Sequence, residues 1–499
     1  MFQRIFVRFK LFLRRWWMRA IFACLFPVAL FSFDLFGLRT LSDSYSRNLF
    51  VPISAPFYPS EGQRHVTAVI IDDHTAEAIA ERYPIGLADH GRFVSRMLCE
   101  GPSVIIVAVS FRYLRDGIEG VEAFKNLLRF RLIDGECRQV SANEALLGMA
   151  RNAKGQVQHV TKVFLAASSQ FAGRCVPFSN ALADNCNEAK EIDSLKSAAE
   201  PVDFTSTTLD NGYKLWRDGT ATPALRAFIA FCERSGRQLA TCAKPLTPSE
   251  ADLVTYWGLY PSPMQAELAE ASGRGRSAKN CFGSAGPATG WLGKLAESKR
   301  VLERIVAINT FGAKDEERIE TRTSCRYATE ISADLLIERP KGDPLLAAAI
   351  QNRVVVYGTE IAGLRDDEIV PIYGRVPGAH FNAMVIDNLI SYGAEYKREP
   401  SQIPFVKFNF TWLNLIELLW TVAMIGLARG LIGYFPPTQR RFACWPSHHV
   451  QRAIVFYTLA TFAMFAIYAV AVWMLHWSAP NIIGMLATKA ADAGLRKDD

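Results

Sequence analysis

The chain has 499 residues and a formal net charge of +7, which is enough length for a large core and accessory segments. Residues 1–19 hold six basic residues and no acid, so 7 minus 6 leaves +1 for the rest of the chain. Because this charge stands beside an apolar run, it indicates a membrane-flanking segment and argues against a nucleic-acid-binding protein.

The first apolar run covers residues 20–38 and contains Asp34 as its one charged residue. Nineteen residues at about 1.5 Å each reach about 28 Å, roughly the thickness of a bilayer core. A cleaved signal peptide is the alternative, but the length of the run and the lack of a small-residue cleavage site favour an uncleaved anchor. We therefore predict a transmembrane helix at 20–38, with the basic segment 1–19 in the cytoplasm.

Residues 40–410 alternate short apolar runs with helical patterns, which predicts an extracytoplasmic α/β domain with a mostly parallel sheet. Residues 168–300 are rich in Asn, Ser, Gly and Cys and are predicted to be a loop-rich insertion. Asp89 or His90 is expected to cap the second helix. The predicted strands are 65–72, 103–110, 159–167, 301–310 and 354–357, and the predicted helices are 75–82, 91–99, 143–152, 223–234, 334–338 and 343–352.

Two further apolar segments follow the domain. Residues 412–428 are interrupted by Glu417, whereas residues 453–475 carry no charge, and both are predicted to span the membrane. The loop between them, 429–452, has four arginines and no acid, so it is expected in the cytoplasm. The tail 476–499 is weakly apolar, and its side of the membrane stays open. The domain is thus predicted to be flanked by transmembrane helices.

The cysteines agree with this topology. Cys24 falls in the first span and Cys444 in the cytoplasmic loop, while the other eight fall in the domain, an even number that suits an oxidising compartment. These eight disulfide candidates are Cys99, Cys137, Cys175, Cys186, Cys232, Cys242, Cys281 and Cys325. The simplest pairs by spacing are Cys175 with Cys186 and Cys232 with Cys242. The connectivity of the other four is open, and scattered buried thiols are the alternative.

Candidate binding residues cluster at predicted strand ends. In an open α/β sheet, ligands lie beyond the carboxyl ends of the strands. The candidates for ligand binding or coupling are Asp72, Asp73 and His74 after the first strand, Asp366 and Asp367 in an acidic loop, and His380 and Asn382 at the start of the next helix. Adjacent residues of a strand point to opposite faces, so one or two of the first three can converge with the rest. A solvated acidic turn is the alternative.

Motifs of common enzymes were sought as well. The sequence contains no P-loop, no GxSxG, no HExxH and no Rossmann fingerprint. No Cys/His spacing indicates a zinc site. The protein is therefore predicted not to be an enzyme and to use no cofactor or metal.

Three stretches together resemble the second class of CHASE domain, the bacterial cyclase- and histidine-kinase-associated sensory extracellular domain. They are VTAVIIDDHT, GPSVIIVAVSF and VVVYGTEIAGLRDDEIVPIYGRVPGAHFNAMVIDNLIS. The resemblance covers roughly residues 40–475 and implies a periplasmic sensor between an N-terminal span and a later cluster of spans. The family's second strand usually ends in an acid, whereas here Val109, Ser110 and Phe111 stand at that place.

Family members usually continue into a kinase, cyclase or diguanylate-cyclase module, but here 24 residues follow Leu475. We therefore expect an inner-membrane homodimer that passes an envelope signal to a separate cytoplasmic or membrane partner. The alternative is a structural docking component of an envelope-spanning or secretion assembly, for which the cysteine-bearing insertion 168–300 would supply a surface.

Overall fold

A computed structural model gives the structure of the protein. It describes residues 51, 53–79, 85–109, 111, 117–166, 194–204, 208–209, 212–217, 219–235, 239–247, 252–272, 290–311, 326–361, 367–370, 372–398, 411–413, 415–416, 419–420, 467 and 470–477. The chain separates into two compact units, Val51–Tyr396 and a second one made of Met1–Phe50 with Lys397–Asp499.

The strands are β1 (Val66–Asp72), β2 (Val104–Val107), β3 (Phe130–Ile133), β4 (Glu136–Gln139), β5 (Met149–Arg151), β6 (Val157–His159), β7 (Lys162–Ala166), β8 (Glu200–Val202), β9 (Thr208–Leu209), β10 (Gly212–Tyr213), β11 (Trp216–Arg217), β12 (Thr220–Ala221), β13 (Leu253–Val254), β14 (Thr329–Ser332), β15 (Val354–Glu360), β16 (Asp367–Val370) and β17 (Gly374–Pro377). The α-helices are α1 (Asp73–Ala78), α2 (Leu87–Cys99), α3 (Gly117–Leu127), α4 (Ala142–Leu147), α5 (Pro223–Arg234), α6 (Gln265–Ala271), α7 (Gly290–Phe311), α8 (Leu335–Glu338), α9 (Pro344–Ile350) and α10 (Gly378–Tyr392).

A six-stranded sheet forms the centre of the first unit, in the order β14-β1-β15-β2-β7-β8. Every neighbouring pair in this sheet is parallel. Its inner strands are near-continuous aliphatic runs because both faces of a parallel sheet are covered by helices. The predicted α/β class with a mostly parallel sheet is confirmed.

The side chains of each strand alternate between two helical layers. Val66, Ala68 and Ile70 of β1 lie in one core with residues of α5 and α10. Val69 and Ile71 lie in the other, with residues of α2, α3, α8 and α9. Each fully buried Val or Ile contributes roughly 1.5–3 kcal/mol, so the two cores fix the strand register and the positions of the helices.

Several predicted elements are found with shifted ends. Strands 65–72, 103–110 and 354–357 correspond to β1, β2 and β15, and helix 223–234 is α5. The predicted helix 143–152 stops earlier, because Ser141 and Glu144 form a capping box at its start and Gly148 ends it in the left-handed region, at φ 67°. β5 follows directly.

Two predictions about helices were wrong. Residues 301–310 were predicted as a strand but belong to α7, since a short apolar run has the same composition in a strand and in a helix. Asp89 and His90 do not cap α2, because the helix begins at Leu87 and Gly86 is its N-cap residue. Its first turn starts before the polar pair.

The segment 168–300 contributes to the core where the structure describes it. α5 packs into the helical layer beside α10, with Ala224, Leu225 and Phe228 buried. β10 pairs with β9 and with β13 in a small antiparallel sheet. The predicted insertion therefore supplies α5, a buried helix in one of the two layers that cover the central sheet.

Two disulfide bonds tie these elements together. Cys99, the last residue of α2, bonds to Cys137 of β4, and Cys232 of α5 bonds to Cys242. The second is one of the two pairs favoured by short spacing. The candidates outside the described residues are Cys175, Cys186, Cys281 and Cys325.

Within the described part of the chain, no helix has both the length and the apolar character needed to cross a membrane. Segment 20–38 lies outside that part entirely, as do most residues of 412–428 and 453–475. The predicted flanking spans therefore stay predictions.

The second unit is described mainly where two of its segments meet. The Arg398 N–H donates to the His476 carbonyl oxygen at 2.9 Å. The Lys397 ammonium donates to the Val472 carbonyl oxygen and lies 3.2 Å from His476 Nδ1. The residues directly after Tyr396 are thus bonded to residues 472–476.

Candidate functional site

The carboxyl ends of the central strands place polar residues at one edge of the sheet. Asp72 ends β1 and Glu360 ends β15, and the two are register partners. Ser332 ends the neighbouring strand β14. In open α/β sheets, ligands lie at this edge.

Asp72 is the N-cap residue of α1. Its Oδ1 accepts hydrogen bonds from the Thr75 N–H at 2.8 Å and from the Thr75 hydroxyl at 2.9 Å. Ser332 Oγ donates to the other oxygen, Oδ2, at 3.4 Å. The carboxylate therefore satisfies the backbone at the start of α1 and links α1 to β14.

Asp73 and His74 lie on the surface of the first turn of α1. Both are exposed, and His74 Nδ1 is 3.9 Å from Glu77 Oε2, one turn further along the same helix. An exposed pair of this kind contributes little to stability. The structure gives neither residue a contact with His380.

A buried ionic group lies on the face of the sheet that α10 covers. We call its four members, Arg326, Glu330, Glu360 and His380, the Arg326 cluster. Arg326 Nη1 donates to Glu330 Oε2 at 2.6 Å, and Arg326 Nη2 donates to Glu360 Oε1. His380 Nε2 lies 2.8 Å from Glu330 Oε2 and 3.0 Å from Arg326 Nη1. One guanidinium thus connects β14, β15 and the first turn of α10.

Strand alternation explains why the two glutamates converge. Glu330 pairs in register with Ala68, and Glu360 with Asp72, so both side chains point to the face that holds Ala68 and α10. Arg326 is 6% exposed, whereas the Glu360 side chain is 31% exposed. The cluster is therefore closed at Arg326 and open to solvent at Glu360.

Charge balance determines the protonation of this group. Burial alone raises the pKa of the Glu330 carboxyl, but the Arg326 guanidinium and the hydrogen bond from His380 outweigh it and hold the pKa well below its ordinary value. Burial likewise opposes the charge of Arg326, yet Glu330 and Glu360 raise its pKa. The pair is consequently ionised throughout the physiological range.

The remaining predicted residues have different surroundings. Asn382 Nδ2 donates to the Gly378 carbonyl oxygen at 2.8 Å, and its Oδ1 accepts from the Tyr213 hydroxyl at 3.4 Å, so this side chain fastens the start of α10. Asp366 lies outside the described residues. Asp367 is described only as the first residue of β16, without its side chain.

Of the predicted set, the structure brings His380 into the Arg326 cluster and places Asp72 in register with Glu360. Sequence reasoning missed Arg326, Glu330 and Glu360. Glu360 could have been found as an acid at the end of a strand. It was missed because the predicted strand ended at residue 357, whereas β15 continues to Glu360. Arg326 and Glu330 gave no signal, because they lie in a segment without clear periodicity.

The arrangement functions as an ionic junction between three elements. Its link to α10 consists of the contacts that His380 makes with Arg326 and Glu330. In the residues that the structure describes, no group of three or more His, Cys, Asp or Glu side chains could hold a metal ion. The interactions present are ion pairs and hydrogen bonds.

Replacing Asp72 separates its capping role from a binding role. We expect Asp72→Ala to lower the free energy of unfolding by about 1 kcal/mol, because the Thr75 N–H loses its acceptor. Asp72→Asn should restore most of this loss, since asparagine caps helices as well as aspartate does. Chemical denaturation of the detergent-solubilised protein measures both. An asparagine variant as unstable as the alanine variant would show that the negative charge itself is required.

The parallel sheet between two helical layers, joined by disulfide bonds, defines a disulfide-bonded α/β domain. The family model described as the CHASE2 domain matches residues 20–428, and the chain belongs to that family. CHASE2 is a family of sensory extracellular domains, which confirms the resemblance, and the two disulfides fit a periplasmic location. No curated protein and no solved structure matches the chain significantly.

Proposed function

We propose that the protein is a sensory protein of the bacterial inner membrane, with its CHASE2 domain in the periplasm. In this proposal the domain relays a conformational change through flanking membrane spans to a separate partner protein. The first and the last segments of the domain contact each other, and this observation carries the proposal.

The meeting point lies between α10 and residues 53–65, which we call the connector. The Tyr58 hydroxyl donates to Asp387 Oδ1 at 3.2 Å, and the Gly62 N–H donates to Ser391 Oγ at 3.1 Å. The connector follows the predicted span 20–38, and α10 precedes the predicted span 412–428. A shift of α10 against the connector would therefore change how the two chain ends leave the domain.

The Arg326 cluster lies at the other end of the same helix. His380 is in the first turn of α10, whereas Asp387 and Ser391 are two and three turns further along. Tyr327, next to Arg326, accepts a hydrogen bond at its carbonyl oxygen from Gln63 of the connector. A change at the cluster thus has two short physical routes to the connector, one along α10 and one through Tyr327.

The chain beyond α10 supports the step of the relay that leads from the domain to the membrane spans. Lys397 and Arg398 bond to Val472 and His476, at the end of the predicted span 453–475. A movement of the last turn of α10 would reach this contact after a few residues. We propose that the predicted spans then pass it to the loop 429–452, where a cytoplasmic or membrane partner binds.

Native Cys444 provides a test of orientation. A membrane-impermeant maleimide should modify Cys444 in inverted vesicles and fail to do so from the periplasmic side of spheroplasts. Protease added to the inverted vesicles should leave residues 51–396 intact. Cys444→Ser is the matched control. Digestion of the domain in inverted vesicles would refute the proposed topology.

The same cysteine tests the relay partner. A cross-linker attached at Cys444 should recover a cytoplasmic or membrane protein. The structural docking role considered from the sequence makes the opposite prediction, because its partners lie on the envelope side. Partners captured only through the periplasmic domain would therefore favour docking over relay.

A further inference from the structure

Asp387 is a buried acid in the contact between the connector and α10. It is 1% exposed, and its Oδ1 accepts hydrogen bonds from the Tyr58 hydroxyl at 3.2 Å and from Ser391 Oγ at 3.0 Å. Its other oxygen, Oδ2, has no hydrogen-bond partner among the described residues. A buried carboxylate with a free oxygen is costly in its charged form.

The titratable groups that face Asp387 are tyrosines. They are Tyr58, which comes from the connector, and Tyr327, which precedes β14. The Tyr58 ring stands edge-on to Tyr327 and to Tyr392, the last residue of α10, at 5.6 and 5.8 Å between centroids. Within the described part of the chain, no lysine, arginine or histidine pairs with Asp387. Burial raises the pKa values of Tyr58 and Tyr327 well above the ordinary value of tyrosine, so both hydroxyls stay protonated.

The connector approaches this acid closely. A Cβ atom placed on Gly62 would lie 2.1 Å from Asp387 Oδ1 and 2.7 Å from Ser391 Oγ. The backbone at Gly62 therefore lies directly against the carboxyl group. On this side the connector shields the buried carboxyl group from solvent.

We propose that Asp387 is a proton-binding site through which the pH of the periplasm controls the contact between the connector and α10. The compartment named here rests on the proposed function. The stimulus is the proton itself, bound by a carboxylate that faces a glycine and two tyrosines, Tyr58 and Tyr327. This site is distinct from the Arg326 cluster, in which each acid has a cationic partner.

The sign of the effect follows from the environment. Burial raises the pKa of Asp387 from 3.8 to about 7, and the hydroxyls of Ser391, Tyr58 and Tyr327 oppose the rise without cancelling it. A group whose pKa is raised in the folded state stabilises that state fully below its unfolded pKa, and this stabilisation is lost as pH rises through the folded pKa. The contact is thus tight in mild acid and weakened above about pH 7.

The consequence for the structure is local. When the proton leaves Asp387, the new charge has neighbouring hydroxyl dipoles but no cationic partner among the described residues, so hydration becomes favourable. Water can reach the carboxylate when Tyr58 and Gly62 move away from it. This separates the connector from α10 at the place where the proposed relay begins.

Hydrogen exchange of the full-length protein in nanodiscs, followed by mass spectrometry from pH 5.5 to 8.5, tests the proposal. After correction for intrinsic exchange, peptides covering 53–65 and 378–392 should lose protection about tenfold for each pH unit up to about pH 7 and show no further loss above it. The pH at which the loss levels off is the midpoint of the Asp387 titration. Asp387→Asn should abolish this pH dependence. Glu61→Gln, which removes an exposed carboxyl beside Gly62, should leave it unchanged.

A second variant protects the test against misfolding of the first. Tyr58→Phe removes a hydroxyl that stabilises the carboxylate, so the midpoint should move to higher pH. A flat profile in the wild type, equal pH dependence in Asp387→Asn, or an unmoved midpoint in Tyr58→Phe would overturn the proposal. These measurements report on the domain alone, whereas Cys444 labelling reports on the compartment in which the domain lies. The proton-binding site and the proposed topology can therefore fail independently.

Discussion

Replacing Arg326 by alanine is expected to lower the free energy of unfolding by about 3 to 5 kcal/mol, because it leaves buried acids without their cation. Glu330 would lose the guanidinium at 2.6 Å and keep its contact with the neutral or charged His380 ring at 2.8 Å. Glu360 would lose its bond to Arg326 Nη2 as well. Denaturant unfolding of the detergent-solubilised protein, followed by tryptophan fluorescence, measures the loss.

A matched control separates this loss from a general effect of removing arginine. Arg92 pairs with Asp89 on the surface, with 73% of its side chain exposed, so Arg92→Ala should cost at most about 1 kcal/mol. The double variant Arg326→Met with Glu330→Gln should be more stable than Arg326→Ala, because less charge is left uncompensated. Equal losses in Arg326→Ala and Arg92→Ala would contradict the buried junction.

The same cluster sets an acid limit on stability. The pKa of Glu330 is lowered in the folded state, so its contribution is present above its unfolded pKa and is lost as pH falls through the folded pKa. Asp387 has the opposite sign, since its pKa is raised. Stability of the wild type should therefore decline toward both strong acid and neutral pH. In Arg326→Ala the decline of stability toward strong acid should be smaller, whereas the decline toward neutral pH should be unchanged.

Removing the disulfide Cys99–Cys137 with two serines is expected to lower the free energy of unfolding by about 4 kcal/mol, on a chain-entropy treatment of the unfolded state. This bond closes a separation of 38 residues, whereas Cys232–Cys242 closes one of 10 residues, for which the expected loss is about 3 kcal/mol. Unfolding of the two double-serine variants under identical conditions compares them. A larger loss for the shorter loop would show that local packing, not loop length, determines the contribution.

The interior of the sheet was predictable from the sequence, whereas its edge was not. β1, β2 and β15 are uninterrupted aliphatic runs, as strands covered on both faces must be. β14 has the sequence TEIS and lies at the edge, where Gln265 bonds to the main chain of Glu330 at 2.7 Å in place of another strand. Nothing in four such residues indicates a strand.

The candidate site was predictable only in part, for a similar reason. Asp72 was chosen as a strand-end acid, but an aspartate three residues before Thr75 also forms a capping box, and that local role is the one observed. The Arg326 cluster joins residues 34 and 54 positions apart. Contacts of that separation depend on the register of three strands, which periodicity alone does not give.

The central claim is that the contact between the connector and α10 communicates with the cytoplasmic loop. Gly62→Ala disturbs this contact directly, because the new methyl group would overlap the Asp387 carboxyl. The decisive measurement is the rate of maleimide modification of Cys444 in inverted vesicles for wild type, Gly62→Ala and the neighbouring control Glu61→Ala. We predict a changed rate, severalfold or more, in Gly62→Ala and an unchanged rate in the control. If hydrogen exchange shows the contact loosened in Gly62→Ala while the Cys444 rate stays at the wild-type value, the relay is contradicted.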